Sequence, residues 1–175
     1  MGFGRIGQRV GALCRALGLR VAAFDPYMER SPVEGVEMVK DFRAILPETD
    51  FLCLHLPSTP ETRDLIGAGE LALLKRGAFV LNCARGGIVD EDVLCDALES
   101  GHLGGAGLDV FAKEPPDTAH RLFRQEKVLL SPHNAALTEE CAIRMATQAV
   151  QNVLDCLDGK LQPRVVMNRR EIGMA

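Results

Sequence analysis

The sequence contains no apolar run long enough to span a membrane and no cluster of basic residues. A transmembrane helix needs about 20 consecutive apolar residues, and no segment of the 175 residues approaches that length. The N-terminal residues also lack the basic-then-apolar pattern of a secretory signal peptide. The net charge is −4 and charges of both signs are interleaved, so we expect no nucleic-acid partner and no membrane partner. These absences favour a globular cytoplasmic protein.

The six cysteines include no pair at the CxxC spacing that is typical of zinc or redox sites. Cys14, Cys53 and Cys141 fall within apolar patterns, where cysteine behaves as a small hydrophobic residue. We therefore expect reduced thiols, as in other cytoplasmic proteins, and neither disulfides nor a bound metal.

Short β-rich runs alternate with longer amphipathic runs along the whole chain. Strands are predicted at 20–24, 51–54, 78–82, 105–110 and 127–130. Short helices are predicted at 41–46, ending near Pro47, and at 70–75, ending at Gly77.

Three longer helices are predicted from periodicity and capping residues. The first ends at Gly18 and is expected to bury one stripe, formed by Ile6, Val10, Leu13, Cys14 and Leu17. The second begins after the N-cap Asp90 and ends at Gly101, with an apolar side formed by Val93, Leu94, Ala97 and Leu98. The last begins after Thr138, and its predicted inner face consists of Ala142, Met145, Ala149, Val153 and Leu157.

This alternation predicts an α/β fold with a doubly wound parallel sheet, in which ligands bind at the carboxyl ends of the strands. A glycine-rich turn that opens a helix should follow a strand, but only Met1 precedes this one. We therefore expect a chain that lacks the first strand of the sheet.

Gly2, Gly4 and Gly7 have the GxGxxG spacing at the start of the first predicted helix. Such glycines allow a tight turn, a close approach of backbone to a pyrophosphate, and close packing of helix on strand. The N–H groups of Arg5 and Ile6 would then point at phosphate. Taken alone, the motif also fits a plain helix start.

Asp25 follows the strand predicted at 20–24 and lies eighteen residues after Gly7, where this fingerprint places a ribose-binding carboxylate. A carboxylate there accepts hydrogen bonds from ribose hydroxyls and repels a 2′-phosphate, which favours NAD over NADP. Arg30 lies close enough in sequence to keep NADP as an alternative. Alternatively, Asp25 is a turn-forming residue before Pro26, with no role in cofactor binding.

Polar residues also follow three later strands: Arg85 after 78–82, Asp109 and Glu114 near the end of 105–110, and His133 after 127–130. Arginine offers a planar fork for bidentate carboxylate binding. Each residue taken alone has an ordinary structural explanation, such as a solvated arginine or a turn aspartate. His55, His102 and His120 are expected to be structural.

The segments NCARGGIVDE, LDVFAKEPP and SPHNAALT, together with GFGRIG and FDPY, resemble the D-isomer-specific 2-hydroxyacid dehydrogenases of the phosphoglycerate dehydrogenase and hydroxypyruvate–glyoxylate reductase type. The resemblance runs from Gly2 to about Gly159. It implies a Rossmann-like NAD-binding domain over 1–159, truncated at its N-terminal end, and a C-terminal tail over 160–175. The family's N-terminal substrate domain would be missing.

The resemblance also implies roles for individual residues. Arg85 would bind the substrate carboxylate, His133 would be the general acid or base, and Glu114 would hydrogen-bond its imidazole. The expected NAD-binding residues are Gly2, Gly4, Arg5, Ile6, Gly7, Asp25, Leu56, Pro57, Cys83, Ala84, Arg85, Asp109, His133 and Ala135.

These roles imply an oxidoreductase that acts on a small 2-keto or 2-hydroxy acid, and a homodimer in the full-length protein. Without the second domain, we expect the chain alone to turn over weakly or not at all. Two alternatives are a non-catalytic, NAD-sensing interaction protein of the corepressor kind and a bare dinucleotide-binding module.

Overall fold

The computed structural model describes residues 1–169 and 171–173, in two compact units, Met1–His133 and Asn134–Ala175. The first unit contains strands, α-helices and short 3-10 helices, whereas the second contains a long α-helix and a short 3-10 helix at Pro163–Val165. The elements, in chain order, are α1 (Arg5–Ala16), β1 (Val21–Ala23), β2 (Val36–Met38), β3 (Phe51–Leu54), α2 (Ala68–Leu73), β4 (Phe79–Asn82), α3 (Glu91–Glu99), β5 (Gly105–Leu108), β6 (Val128–Leu130) and α4 (Glu139–Leu157).

Four strands form a parallel sheet in the order β3-β4-β5-β6, and β1 pairs in parallel with β2. The register aligns the last residues of the four strands, which are Leu54, Asn82, Leu108 and Leu130. Because parallel strands end at the same edge, the loops that follow them leave the sheet side by side.

Residues 1–2 connect the two groups of strands. The N–H of Gly2 donates to Phe24 O (2.9 Å), and the N–H of His55 donates to Met1 O (2.8 Å). Residues 1–2 therefore lie between the ends of β1 and β3, in the order β2-β1-(1–2)-β3-β4-β5-β6. This is the order of a doubly wound, Rossmann-like sheet, so the predicted α/β fold class is confirmed.

The main core lies on the face of the four-stranded sheet that α2 and α3 cover. Leu54 and Val80 from the strands and Leu94 from α3 are fully buried there. Burying side chains of this size contributes about 1.5–3 kcal/mol each. A second, smaller cluster packs Phe3 against Ala23 and Val36.

The face predicted for α1 is wrong. Of the predicted stripe, Ile6, Leu13 and Leu17 are 68%, 55% and 81% exposed, and the buried residues are Gly7 and Gly11. A Cβ at Gly11 would lie 3.1 Å from the Phe3 ring and 3.7 Å from Val36. The helix therefore packs through its glycines, which a search for apolar side chains does not detect.

The inner face predicted for α4 is also wrong. Thr138 does cap this helix, since its hydroxyl accepts from the N–H of Cys141. However, no residue of α4 is buried, and Met145, Val153 and Leu157 are 50–79% exposed. Periodicity identifies an apolar face but does not identify the surface that covers it.

Some boundaries differ from the prediction. Strand β2 and a 3-10 helix at Arg121–Arg124 were not predicted, and the predicted helix at 41–46 is a 3-10 helix at Arg43–Glu48 that includes Pro47. Helix α2 begins and ends earlier than 70–75, and β5 ends at Leu108 rather than at residue 110. Strand β3 and the N-cap Asp90, which accepts from Asp92 and Val93 N–H groups, are confirmed. Among the described residues, no helix combines the length and apolar character that crossing a bilayer requires.

Candidate active site at the carboxyl ends of the strands

The three glycines before and within α1 are in different environments. Gly2 has φ +76°, and a Cβ there would lie 2.6 Å from His55 O. A Cβ at Gly7 would collide with Gly2 O. At Gly4, in contrast, a Cβ would meet no atom of the described residues within 4 Å, apart from its chain neighbours. Packing therefore requires glycine at Gly2 and Gly7, whereas at Gly4 the missing side chain leaves the surface open to a ligand.

The N-terminus of α1 fits a pyrophosphate. The N-cap Gly4 has no side chain to cap the helix, and the first turn contains no acidic residue. The N–H groups of Arg5 and Ile6 belong to the first turn, where helical N–H groups have no partner within the helix. Such N–H groups, together with the positive end of the helix dipole, are suited to an anion such as a dinucleotide phosphate, and the predicted role of Arg5 and Ile6 stays a prediction.

Asp25 connects the end of β1 to the glycine loop. Its Oδ2 accepts from the Phe3 N–H (2.8 Å) and its Oδ1 accepts from the Tyr27 N–H (3.0 Å). The residue is half-buried. The carboxylate is therefore fixed in orientation beside the helix N-terminus, as a ribose-binding acid should be.

Leu56 and Pro57 follow β3 at the same edge of the sheet. Leu56 packs against the main core, whereas Pro57 is exposed and its carbonyl accepts from the Thr62 hydroxyl (2.8 Å). Their predicted contact with adenine stays a prediction.

Arg85 lies in a loop that the side chain of Asn82 closes. Asn82 Nδ2 donates to Arg85 O (2.9 Å), and Asn82 Oδ1 accepts from the Ala84 N–H (3.1 Å). The guanidinium of Arg85 is exposed, and its Nη1 donates to Ala84 O (2.6 Å). Cys83 is also exposed, and partial burial of its thiol raises the pKa of Cys83, with Asp109 adding to the effect. Ala84 is buried.

The loop that carries Arg85 (the arginine loop) packs closely against the loop that carries Glu114. A Cβ at Gly86 would collide with Phe111 O, so only glycine allows the two backbones to lie so close. The Glu91 Oε1 of helix α3 accepts from the Ala112 N–H at 2.6 Å. These contacts bring together two segments that are separated along the chain.

Glu114 and His133 form a hydrogen-bonded pair. His133 Nδ1 lies 2.8 Å from Glu114 Oε2, and Glu114 Oε1 accepts from the Phe111 N–H (3.1 Å). The imidazole hydrogen bond, followed by the Phe111 N–H, lowers the pKa of Glu114. An ionised carboxylate only accepts hydrogen bonds, so Nδ1 is the donor in this pair and Nε2 is left to face other groups.

The backbone of His133 is in a rare conformation. Its φ is +54°, in the left-handed region that non-glycine residues seldom adopt. Such strain concentrates at functional sites, because the surrounding structure has to maintain it. Its side chain is 47% exposed and that of Glu114 is 38% exposed, so the pair is accessible from solvent. A mostly apolar cavity of about 320 Å³ borders the pair and is lined in part by Phe111, Phe123 and Leu130.

Asp109 is buried at the end of β5, and its Oδ1 accepts from the Ser131 hydroxyl at 2.5 Å. Ser131 follows β6, so this bond joins the ends of two neighbouring strands. The predicted role of Asp109 towards a nicotinamide carboxamide stays a prediction.

The strand ends thus bring together most of the predicted site residues, and the contacts link Arg85 to His133 through Gly86, Phe111 and Glu114. Ala135 belongs to the second unit, and its role stays a prediction. The sequence did not single out Asn82, Glu91 or Ser131, although each is a hydrogen-bonding residue inside a motif that it did identify.

The other three histidines do not belong to the acid–base pair, although His55 lies beside Gly2. His102 Nε2 lies 3.0 Å from Leu71 O, and His120 caps the 3-10 helix at Arg121–Arg124. His55 is half-buried, and burial lowers its pKa.

Comparison with known proteins gives consistent results. Residues 1–135 match the NAD binding domain of the D-isomer specific 2-hydroxyacid dehydrogenases. The chain is 40% identical over 168 residues to the D-3-phosphoglycerate dehydrogenase of Methanocaldococcus jannaschii, a match that covers 95% of this chain and 32% of that protein. It is 40% identical over 171 residues to the glyoxylate reductase of Aeropyrum pernix, covering 95% of this chain and 50% of that one.

Among solved structures, the NAD-complexed D-isomer specific 2-hydroxyacid dehydrogenase of Lactobacillus delbrueckii ssp. bulgaricus superimposes with a TM-score of 0.85 at 32% identity. That match covers 95% of this chain and 54% of the other. The chain therefore spans between about a third and about half of the length of these relatives.

Proposed function

The chain belongs to the D-isomer specific 2-hydroxyacid dehydrogenase family, and we propose that its protein interconverts a D-2-hydroxy acid and the corresponding 2-keto acid by hydride exchange with NAD. The observation that carries this proposal is the 2.8 Å hydrogen bond between His133 and Glu114 at the strand edge that also presents Arg85. Because the chain spans only part of its relatives' length, the activity is proposed for the whole protein.

Arg85 binds the substrate carboxylate in this proposal. A guanidinium has five N–H donors in a rigid fork, and the bond to Ala84 O uses one nitrogen of Arg85. The remaining donors can hold a carboxylate in a bidentate manner and place the neighbouring carbonyl oxygen beside the imidazole.

His133 transfers the proton. In the reducing direction, Nε2 donates to the keto oxygen as a hydride arrives at the keto carbon; in the oxidising direction, it takes the hydroxyl proton back. Glu114 accepts the hydrogen bond from Nδ1, so it fixes the tautomer and the orientation of the ring. A histidine paired in this way contributes about 10²–10⁴-fold in rate.

NAD is the cofactor, and it supplies or accepts the hydride when bound. The chain's own part is to hold the pyrophosphate at the N–H groups of Arg5 and Ile6 and the ribose at Asp25. We propose that Asp109, Cys83 and Ala84 border the nicotinamide end, where Leu108 and Asn82 end their strands at the same level.

Further parts of the proposal concern organisation. We propose that the NAD-binding domain extends over residues 1–159, followed by a tail at 160–175, and that the protein is a cytoplasmic homodimer. The substrate is a small 2-keto or 2-hydroxy acid, and this chain without the rest of the protein turns over weakly or not at all. No contact among the described residues supports the non-catalytic alternative.

The test is an NADH-oxidation assay of the whole protein with hydroxypyruvate, glyoxylate and phosphohydroxypyruvate. We expect turnover with at least one of them, and a fall in kcat of about 10²–10⁴-fold on His133→Asn. His102→Asn, which removes a histidine away from the site, serves as the matched control. Equal activity of the His133→Asn protein and the control would overturn the proposal.

A further inference from the structure

Asn82 is a buried polar side chain for which the proposed chemistry has no role. It is the last residue of β4 and is 3% exposed. Its amide donates from Nδ2 to Arg85 O (2.9 Å) and accepts at Oδ1 from the Ala84 N–H (3.1 Å). Both ends of the amide are thus used within the loop that presents Arg85.

The end of β4 is itself fixed. Asn82 O accepts from the Asp109 N–H (3.0 Å), which continues the pairing of β4 with β5. The Asn82 amide therefore connects an anchored strand end to the two residues that follow Cys83. The guanidinium of Arg85 in turn donates to Ala84 O within the same loop (2.6 Å), so its position follows the shape of that loop.

This arrangement needs a side chain that carries both a donor and an acceptor at the same distance from the backbone. Aspartate has the same shape but only accepts when ionised, so it would place a carboxylate oxygen against the carbonyl oxygen of Arg85. Serine is too short to reach both partners. An amide at position 82 is therefore matched to the loop, and most substitutions there would leave a buried polar group unsatisfied.

We infer that Asn82 is a positioning residue that holds Arg85 where it can bind the substrate carboxylate. The inference rests on the proposed function, because it acts through the role of Arg85. Asn82 does not touch substrate; its effect on catalysis passes through the arginine loop.

A double-mutant cycle in the whole protein tests this inference. Asn82→Asp is expected to lower kcat/KM for the keto acid by about tenfold, mainly through KM, because one hydrogen bond is replaced by a repulsion. Arg85→Ala lowers kcat/KM further. In the Arg85→Ala background, Asn82→Asp is expected to have no additional effect, since residues that act through one another are not additive. Asn152→Asp, the same chemical change in α4, is the control and should leave kcat/KM unchanged.

The affinity for NADH distinguishes positioning from a general structural role. In Asn82→Asp the melting temperature is expected to fall, because a carboxylate is buried against the Arg85 carbonyl oxygen, but the protein should be folded at the assay temperature and bind NADH with close to wild-type affinity. Asn82→Ser should repeat the KM effect without adding a charge. If Arg85→Ala itself leaves kcat/KM unchanged, the proposed function fails. If Arg85→Ala impairs catalysis but Asn82→Asp costs the same factor in both backgrounds, the inference alone fails. Loss of folding or of NADH binding in both Asn82 variants would also contradict it.

Discussion

The two ends of the candidate site use different kinds of chemical group: one uses backbone N–H groups and the other uses side chains. At the proposed cofactor end, Gly2, Gly4 and Gly7 contribute by lacking side chains, and the groups proposed to bind the pyrophosphate are backbone N–H groups at the start of α1. At the acid–base end, Glu114 and His133 act through side chains that neighbouring loops hold in place.

This difference predicts how substitutions at each end impair the protein. At the glycine loop, an added methyl group acts by steric exclusion, either of the protein's own backbone or of the ligand. At the acid–base end, a substitution of the same shape can remove a charge or a donor while it leaves the packing intact. Matched substitutions at the two ends therefore separate binding from chemistry.

The largest effect is expected at the acid–base end. Glu114→Gln keeps the shape of the side chain but removes the negative charge that accepts the hydrogen bond from His133 Nδ1. We expect kcat to fall by about 10²–10⁴-fold, while the affinity for NADH changes little. Steady-state kinetics and a fluorescence titration of NADH measure the two quantities. Glu126→Gln is the control, and a fall in NADH affinity that matched the fall in kcat would show that the two ends are not separable.

A pair of glycine variants tests the cofactor end. In Gly4→Ala the new Cβ would have only its chain neighbours within 4 Å among the residues that the structure describes, so the melting temperature should be preserved while NADH binds at least about tenfold more weakly. In Gly7→Ala the Cβ collides with Gly2 O, so the melting temperature itself should fall. Wild-type NADH affinity in Gly4→Ala would show that the open surface above Gly4 is not the pyrophosphate site.

Asp25→Asn is expected to have an intermediate effect, because Asp25 contacts the protein's own backbone and is also proposed to contact the cofactor. Its carboxylate fixes the glycine loop through Phe3 N–H and is also proposed to accept from the ribose. Removing the charge should weaken NADH binding about tenfold and reduce the preference for NADH over NADPH. Parallel titrations with the two cofactors measure this preference. An unchanged ratio of the two affinities would remove Asp25 from the ribose site.

The smallest expected effect is a shift in the pKa of the Glu114 carboxyl group when His133 is replaced. The pKa of Glu114 is held below its ordinary value, first by the His133 hydrogen bond and then by the Phe111 N–H. The pair therefore contributes stability above the ordinary carboxyl pKa of about 4.3, and this contribution is lost as the pH falls through the lowered value. In a carboxyl NMR titration, His133→Asn should move the midpoint of Glu114 upward. A midpoint that did not move would mean that the imidazole does not perturb the carboxylate.

Much of the fold was predictable because its determinants are local. β3 is a short apolar run, and Asp90 and Thr138 cap the helices that follow them, so pattern and capping chemistry suffice. β2 has only three residues, Val36–Met38, and pairs with β1 across a loop that contains little pattern. Its existence depends on that pairing rather than on its own sequence.

The candidate site divides in the same way. Arg85, Glu114 and His133 were predicted from motifs at strand ends. The residues that hold them were not predicted. The two hydrogen bonds of Asn82 are local but depend on the conformation of its loop, and Glu91 reaches Ala112 from α3, 21 residues away along the chain. The packing face of α1 was mispredicted since Gly7 and Gly11 carry no apolar signal.

If one dinucleotide joins these two ends, a crystal structure of the protein with NADH will show both sets of contacts at once. We expect pyrophosphate oxygens within hydrogen-bond distance of the Arg5 and Ile6 N–H groups, and a nicotinamide ring between the Arg85 loop and His133 Nε2. A dinucleotide bound elsewhere, or a nicotinamide remote from His133, would contradict it.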